Sequence, residues 1–255
     1  MADSSPARSV IIIGAASAMA EHTARQLAAQ GARLALVARD AGRLEILAAD
    51  LASRGSPKTV TRALDLLKVE DPAVLIDALK AELGELDAVL IFHGYLGDQA
   101  KAETDIAEAR RILTVNFNSA AELSLAAANI LETSAHPNPV LLAVGSVAGD
   151  RGRASNFVYG AAKGGLAILY QGLAHRFGAG GKVRAVVVKC GFVDTPMTAG
   201  FPKGGPLWAT PDQVAKVIVG AMERGGPIVY APWFWRFVML IIRLLPQPIM
   251  NRVKL

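Results

Sequence analysis

The strongest constraint on this chain is an alternation that recurs along its length. Short apolar runs, mostly β-branched, are each followed by a longer, alanine-rich stretch with helical spacing. Residues 10–13, 34–38, 59–63, 88–92, 140–144, 183–188 and 228–230 read as strands. Most are apolar throughout rather than alternating, as a sheet covered on both faces requires. Residues 21–30, 42–53, 72–83, 106–131, 159–177 and 211–224 read as helices. Strand, helix and strand in that order imply right-handed crossovers, and so a single-domain, doubly wound parallel α/β sheet of about seven strands. The length of 255 residues suits one such domain, and no repeat or linker divides it.

Composition narrows the function classes. Hydrophobic residues make up 52% and charged residues 19%, enough for a large core. The one cysteine, Cys190, excludes an intrachain disulfide and suits a reducing cytoplasm. Residues 1–8 are expected to be a disordered N-terminal segment. They carry no basic start followed by an apolar run, so they do not read as a secretory signal. The charge of +5 favours an anionic partner, but the basic residues are scattered and no basic patch interleaves with aromatics. A phosphorylated cofactor or substrate, or an anionic membrane surface, fits better than nucleic acid. No metal site is expected.

The first strand runs into Gly14-Ala15-Ala16-Ser17-Ala18-Met19-Ala20 and then a helix. A pyrophosphate placed there meets free backbone N–H groups and the positive end of the helix dipole. With one glycine the motif is weak, and a plain strand-to-helix turn is an equal reading. The second strand ends Leu36-Val37-Ala38-Arg39, with alanine where an acidic residue would face the ribose hydroxyls of NAD. Arg39 suits the 2′-phosphate of NADP(H), the alternative being a solvated arginine paired with Asp40 or a neighbour. Asp65, with Leu66 beside it, stands after the third strand where it can reach an adenine edge or cap a turn.

Tyr159 and Lys163 are four residues apart at the start of a helix, one turn apart on one face. An ammonium near a phenol favours the phenolate, and such a tyrosine can donate a proton to a carbonyl oxygen. Ser146, just past the fifth strand, can hold the same oxygen. The set Gly14 to Ala20, Asn116, Ser146, Tyr159-x-x-x-Lys163 and Cys190-Gly191-Phe192-Val193-Asp194-Thr195 resembles the short-chain dehydrogenase/reductase family over nearly the whole chain. The resemblance implies Tyr159 as general acid and Ser146 orienting the carbonyl. Lys163 would lower the tyrosine pKa and bind the nicotinamide ribose, and Asn116 would hold a water in a proton relay. It also places Ala16, Ser17, Ala18, Met19, Gly191, Val193 and Thr195 at the cofactor, with Thr195 on the nicotinamide carboxamide. A homodimer or homotetramer is implied in the same way. The chain departs from the family at Ala18 and Ala20, where glycines are usual, and at Phe92-His93-Gly94, where Asn-Ala-Gly is usual. His93 and Gly94 then line the cofactor pocket, or His93 makes a structural hydrogen bond. Cys190 replaces a usual proline and reads as a small hydrophobe.

The segment 145–160, together with the ending Tyr230-Ala231-Pro232-Trp233-Phe234-Trp235-Arg236-Phe237-Val238-Met239, is similar to the decaprenylphosphoryl-2-keto-ribose reductases. That implies a keto-sugar on a polyprenyl phosphate as substrate and a place in cell-wall or glycan biosynthesis. Arg151 and Arg153 stand at the mouth of the site, either for a substrate phosphate or as solvated loop arginines. The amphipathic, aromatic-rich tail 233–249 reads as a helix packed on the pocket or on a partner chain, or as an interfacial helix at the inner face of a membrane. Two other readings stay open: a reductase or dehydrogenase of a soluble ketone or alcohol, and a non-catalytic dinucleotide-binding regulator.

Overall fold

The computed structural model describes residues 8–178 and 180–252. The segment 1–8 lies outside the described residues except for Arg8, whose carbonyl accepts the Arg33 N–H at 2.8 Å.

The chain opens β1 (Ser9–Ile13), α1 (Ala18–Ala29), β2 (Arg33–Ala38), α2 (Ala41–Ser53), β3 (Thr59–Ala63), α3 (Pro72–Leu83) and β4 (Ala88–Ile91). It continues α4 (Gln99–Ala102), α5 (Ile106–Leu113), α6 (Ser119–Glu132), β5 (Val140–Ser146), α7 (Phe157–Gly178) and β6 (Arg184–Cys190). Two very short strands, β7 (Phe192–Val193) and β8 (Trp208–Ala209), precede α8 (Pro211–Arg224), β9 (Ile228–Ala231), α9 (Trp235–Leu244) and α10 (Gln247–Met250).

Seven strands form one parallel sheet in the order β3-β2-β1-β4-β5-β6-β9. The apolar runs are explained by the pleat. Val10 and Ile12 turn to one side, against α1, α2 and α8; Ile11 and Ile13 turn to the other, against α3, α6 and α7. Both faces are therefore core, and every residue of β1 is buried. The edge strand β3 is the exception, with Thr61, Arg62 and Ala63 exposed.

Strand order reverses between β1 and β4, which opens a crevice beyond their carboxyl ends, the position where such sheets bind ligands. Gly14, Phe92 and Ser146 all stand at strand ends on that side.

Two elements differ from the sequence reading. The helix expected over 106–131 is interrupted by a widened, π-type turn at Thr114–Asn118. There the Asn116 side chain, not an apolar contact, faces inward, and its Nδ2 donates to the Ile112 carbonyl at 2.8 Å. The tail is not one element: α9 ends at Leu245–Pro246, because proline cannot continue the helical ladder, and α10 follows. Among the described residues no helix is long and apolar enough to cross a membrane.

Candidate active site

The first turn is shaped by one glycine. Gly14 sits at φ +80°, and a Cβ there would lie 2.6 Å from the His93 backbone nitrogen, so both conformation and space demand glycine. The Gly14 and Ala15 N–H groups donate to the Val37 carbonyl, and Ser17 caps α1 by accepting the Ala20 N–H at 3.2 Å. Ala18 lines the crevice, whereas Ala20 is fully buried in the core beneath it. Of the two replaced glycines, only position 18 faces the crevice.

From this turn a cavity of about 540 Å³ runs past Ala16, Ser17, Ala18 and Met19 to Arg39, Asp65 and Leu66, and inward to His93, Gly94 and Thr195. Arg39 is exposed and has no acidic partner among the described residues. The alternative Arg39–Asp40 pair does not form; the Asp40 carboxylate instead caps α2 by accepting the Arg43 N–H. Asp65 caps the turn 66–68 through the Leu67 N–H and also lines the cavity. His93 Nε2 lies 3.2 Å from the Ser119 hydroxyl, while Nδ1 is buried with no partner. Burial, helped by the nearby Lys163 charge, pulls the imidazole down to about 3, so it is neutral at pH 7.

Ser146, Tyr159, Lys163 and Asn116 come together from three elements. Ser146 ends β5, and its Oγ accepts the Ala148 N–H at 3.1 Å. The turn that follows lies directly on α7, an approach possible because glycines meet there: a Cβ on Gly149 would stand 2.6 Å from the Gly164 nitrogen. Lys163 is buried, and its Nζ donates to the Val144 carbonyl at 3.0 Å. Asn116 is fully buried; Nδ2 donates to the carbonyls of Tyr95 and Ile112, and Oδ1 accepts the Tyr95 N–H. Both amide protons are thus engaged, leaving one lone pair of Oδ1. Gly94 lies between the two, since a Cβ on it would be 3.0 Å from Asn116 Oδ1 and 3.5 Å from Lys163 Nζ.

The electrostatics correct one expectation. Burial pushes the Tyr159 phenol up to about 12, and the opposing pulls come from Ser146 and Arg153 rather than from Lys163. The Lys163 ammonium is turned to the Val144 carbonyl and lies 6.0 Å from the Tyr159 ring centroid, and its own burial brings it down to about 8. Cys190 is buried and its thiol is pushed up to about 12, which fits a small hydrophobe and not a thiolate.

Ser146, Tyr159, Lys163, Gly191, Val193 and Thr195 line a second cavity of about 130 Å³ that meets the first at Met19, Phe92, Gly94, Thr195 and Met197. The two expected mouth arginines separate. Arg151 is not available to a substrate phosphate: its guanidinium donates to the carbonyls of Ile242, Arg243 and Leu245 and to Gln247, capping the end of α9. Arg153 lines the small cavity, as does Asn156. The sequence reading missed Asn156, Met197 and Phe201 as lining residues, and Arg111 in the larger cavity. None carries a local motif; long-range packing alone brings them in.

A doubly wound sheet with a crevice at its switch point, opening onto a tyrosine, a lysine and a serine, is the arrangement of an oxidoreductase of the Rossmann type. The chain belongs to the short-chain dehydrogenase family, whose model matches residues 8–204. It is 36% identical over 251 residues to an uncharacterised oxidoreductase of Mycobacterium tuberculosis, covering 98% of this chain and 99% of that one. It is 32% identical over 200 residues to the cis-4-hydroxycyclohexanecarboxylate dehydrogenase of Sinomonas cyclohexanicum, covering 76% and 77%. A solved structure described as a short-chain dehydrogenase from Pseudomonas syringae superposes with a TM-score of 0.78 at 25% identity, over 88% of this chain and 93% of that one. The protein is accordingly an NAD(P)-dependent oxidoreductase acting on alcohol or ketone groups.

Proposed function

We propose that the chain works as an NADPH-dependent ketone reductase. The observation that carries this reading is the meeting of the two cavities beside Tyr159, Ser146 and Lys163. NADPH, when bound, supplies the hydride. The turn Gly14–Met19 and the N-terminus of α1 would hold its pyrophosphate, Arg39 its 2′-phosphate, Asp65 and Leu66 its adenine side, and Gly94, Gly191, Val193 and Thr195 the nicotinamide half. His93 would support this wall as a neutral group. A phenol held near 12 keeps its proton at neutral pH, so Tyr159 donates to the developing alkoxide. The Ser146 hydroxyl orients the carbonyl. Lys163, close to its own titration range, returns a proton to Tyr159 through a water that uses the remaining Oδ1 lone pair of Asn116.

The substrate we favour is a keto-sugar attached to a lipid phosphate. Its support is α9, whose exposed residues Phe237, Leu240, Ile241 and Leu244, with Trp233 just before it, continue one face at helical spacing beside the exposed Arg236 and Arg243. That face suits peripheral contact with an anionic membrane surface on the cytoplasmic side. A soluble ring ketone is the second reading, favoured by the relative that oxidises a hydroxycyclohexanecarboxylate. A homodimer or homotetramer is proposed from family habit.

The test is NADPH oxidation against keto-sugars with and without a polyprenyl-phosphate tail, and against cyclohexanones. Turnover only of tail-free ketones would overturn the lipid reading. Tyr159→Phe should bind NADPH yet lose roughly 10²- to 10⁴-fold in reduction, and normal turnover would remove Tyr159 as the acid. Arg39→Ala should erase a preference for NADPH over NADH in fluorescence titration; equal affinities in the unmutated protein would dismiss the Arg39 assignment.

A further inference from the structure

We infer that the small cavity selects substrates bearing an oxyanion, a carboxylate or a phosphate, and that Arg153 is the residue that reads it. The inference rests on the reductase reading above and names the substrate class of the same site.

Arg153 lines the cavity with Nε buried and unpartnered, and none of its side-chain nitrogens has a hydrogen-bond or ion-pair partner among the described residues. The Asn156 side-chain oxygen, three residues on, is buried and unpartnered in the same cavity. Buried polar groups in native proteins are nearly always satisfied, so two unpartnered groups on residues that line one cavity point to a polar ligand there. No Asp or Glu lines this cavity; its charged residues are Arg153 and Lys163. A guanidinium partly withdrawn from water without a counter-ion carries a desolvation cost, and a ligand oxyanion offsets that cost while matching the guanidinium's paired donors. The Asn156 amide would then take a neighbouring hydroxyl.

The segment is also held still. Asp150 and Lys189 form a buried ion pair, and the Tyr230 hydroxyl donates to the other Asp150 oxygen at 2.8 Å. Arg151 is fastened to α9. Arg153 therefore follows two anchored residues, and its neighbour Arg151, the same residue type, has its guanidinium donors taken up by the end of α9.

The experiment compares kcat/KM within two pairs, 4-oxocyclohexanecarboxylate against its methyl ester and dihydroxyacetone phosphate against dihydroxyacetone. At least one anionic member should exceed its neutral partner by ~10-fold or more, and the pair that does so separates carboxylate from phosphate. Arg153→Gln should bring that ratio close to one through KM, and Arg153→Lys should restore part of it. In parallel, cyclohexanecarboxylate should raise the melting temperature of the NADP⁺-loaded protein more than cyclohexanecarboxamide does, and Arg153→Gln should abolish the difference. Retained NADPH binding shows that the variant is folded. Ratios near one in the unmutated protein, or a ratio that survives Arg153→Gln, would overturn the inference. If none of the four ketones is turned over, the carboxylate-against-carboxamide shift, which needs no turnover, still decides for or against the anion site, and the reductase reading is judged by the keto-sugar assay above.

Discussion

Replacing Lys163 with methionine should make the cofactor-free protein more stable while ending its chemistry. Burial lowers the ammonium from 10.5 to about 8. Below about pH 8 the lysine is charged in both folded and unfolded chains, and the folded state carries the whole cost of desolvating it. A shift of that size corresponds to roughly 3 kcal/mol. Methionine fills similar space without a charge, and loses the hydrogen bond to the Val144 carbonyl, worth about 1 kcal/mol. The net gain near neutral pH is about 2 kcal/mol, or a rise in Tm of roughly 4–8 °C for a chain of this size. As pH climbs from about 8 towards 10.5, the folded lysine sheds its proton before the unfolded one does. The unmutated protein then recovers stability and the difference closes. Urea unfolding followed by circular dichroism, at about pH 7 and again near pH 10, measures both arms. A variant less stable than its parent at neutral pH, or a difference indifferent to pH, would refute the buried-charge argument.

Three further perturbations test the packing around the site. A Cβ on Gly191 would stand 1.9 Å from the Trp235 indole nitrogen, so Gly191→Ala should cost about 1–3 kcal/mol in urea unfolding and alter tryptophan emission; unchanged stability would contradict that contact. Arg151→Ala should free the carbonyls at the end of α9 and speed amide exchange around residues 242–251, with a stability loss of about 1–3 kcal/mol. Ser146→Ala should lower kcat for reduction by roughly 10²- to 10³-fold with little change in NADPH affinity, and a near-normal kcat would remove the serine from the reacting oxygen.

The sheet was legible because its runs are apolar on both faces, and that pattern belongs to the strand residues themselves. All seven expected strands lie in the parallel sheet, with boundaries that differ by a residue or two. Ser146, Tyr159 and Lys163 were legible because strand end and helix start are fixed by local pattern, and the three line the smaller cavity together. The break at Thr114–Asn118 was not. Its cause is the side chain of Asn116 reaching the Tyr95 and Ile112 backbones, and alanine-rich flanks conceal it. Nor was the division of labour between Arg151 and Arg153, which depends on α9, about ninety residues further along the chain, returning to the loop.

This contrast explains why class is easier to read here than substrate. The cofactor side is built from backbone at strand ends, from the left-handed Gly14 and the N-terminus of α1, so its requirements appear as small residues in a short, ordered motif. The substrate side is built from side chains on segments whose placement comes from elsewhere. Asp150 is fixed by Lys189 and Tyr230, Trp235 fills the space left by Gly191, and Phe192 stacks on Trp208 at 5.3 Å. Each of those ties spans tens of residues or links separate elements, and none has a spacing that sequence alone would single out. What they share is a consequence: they fasten the rim, so that the cavity lined by Arg153 is kept open rather than closed by collapse. On the proposal made for Arg153, specificity in this chain would follow from which side chains that rim leaves unpartnered.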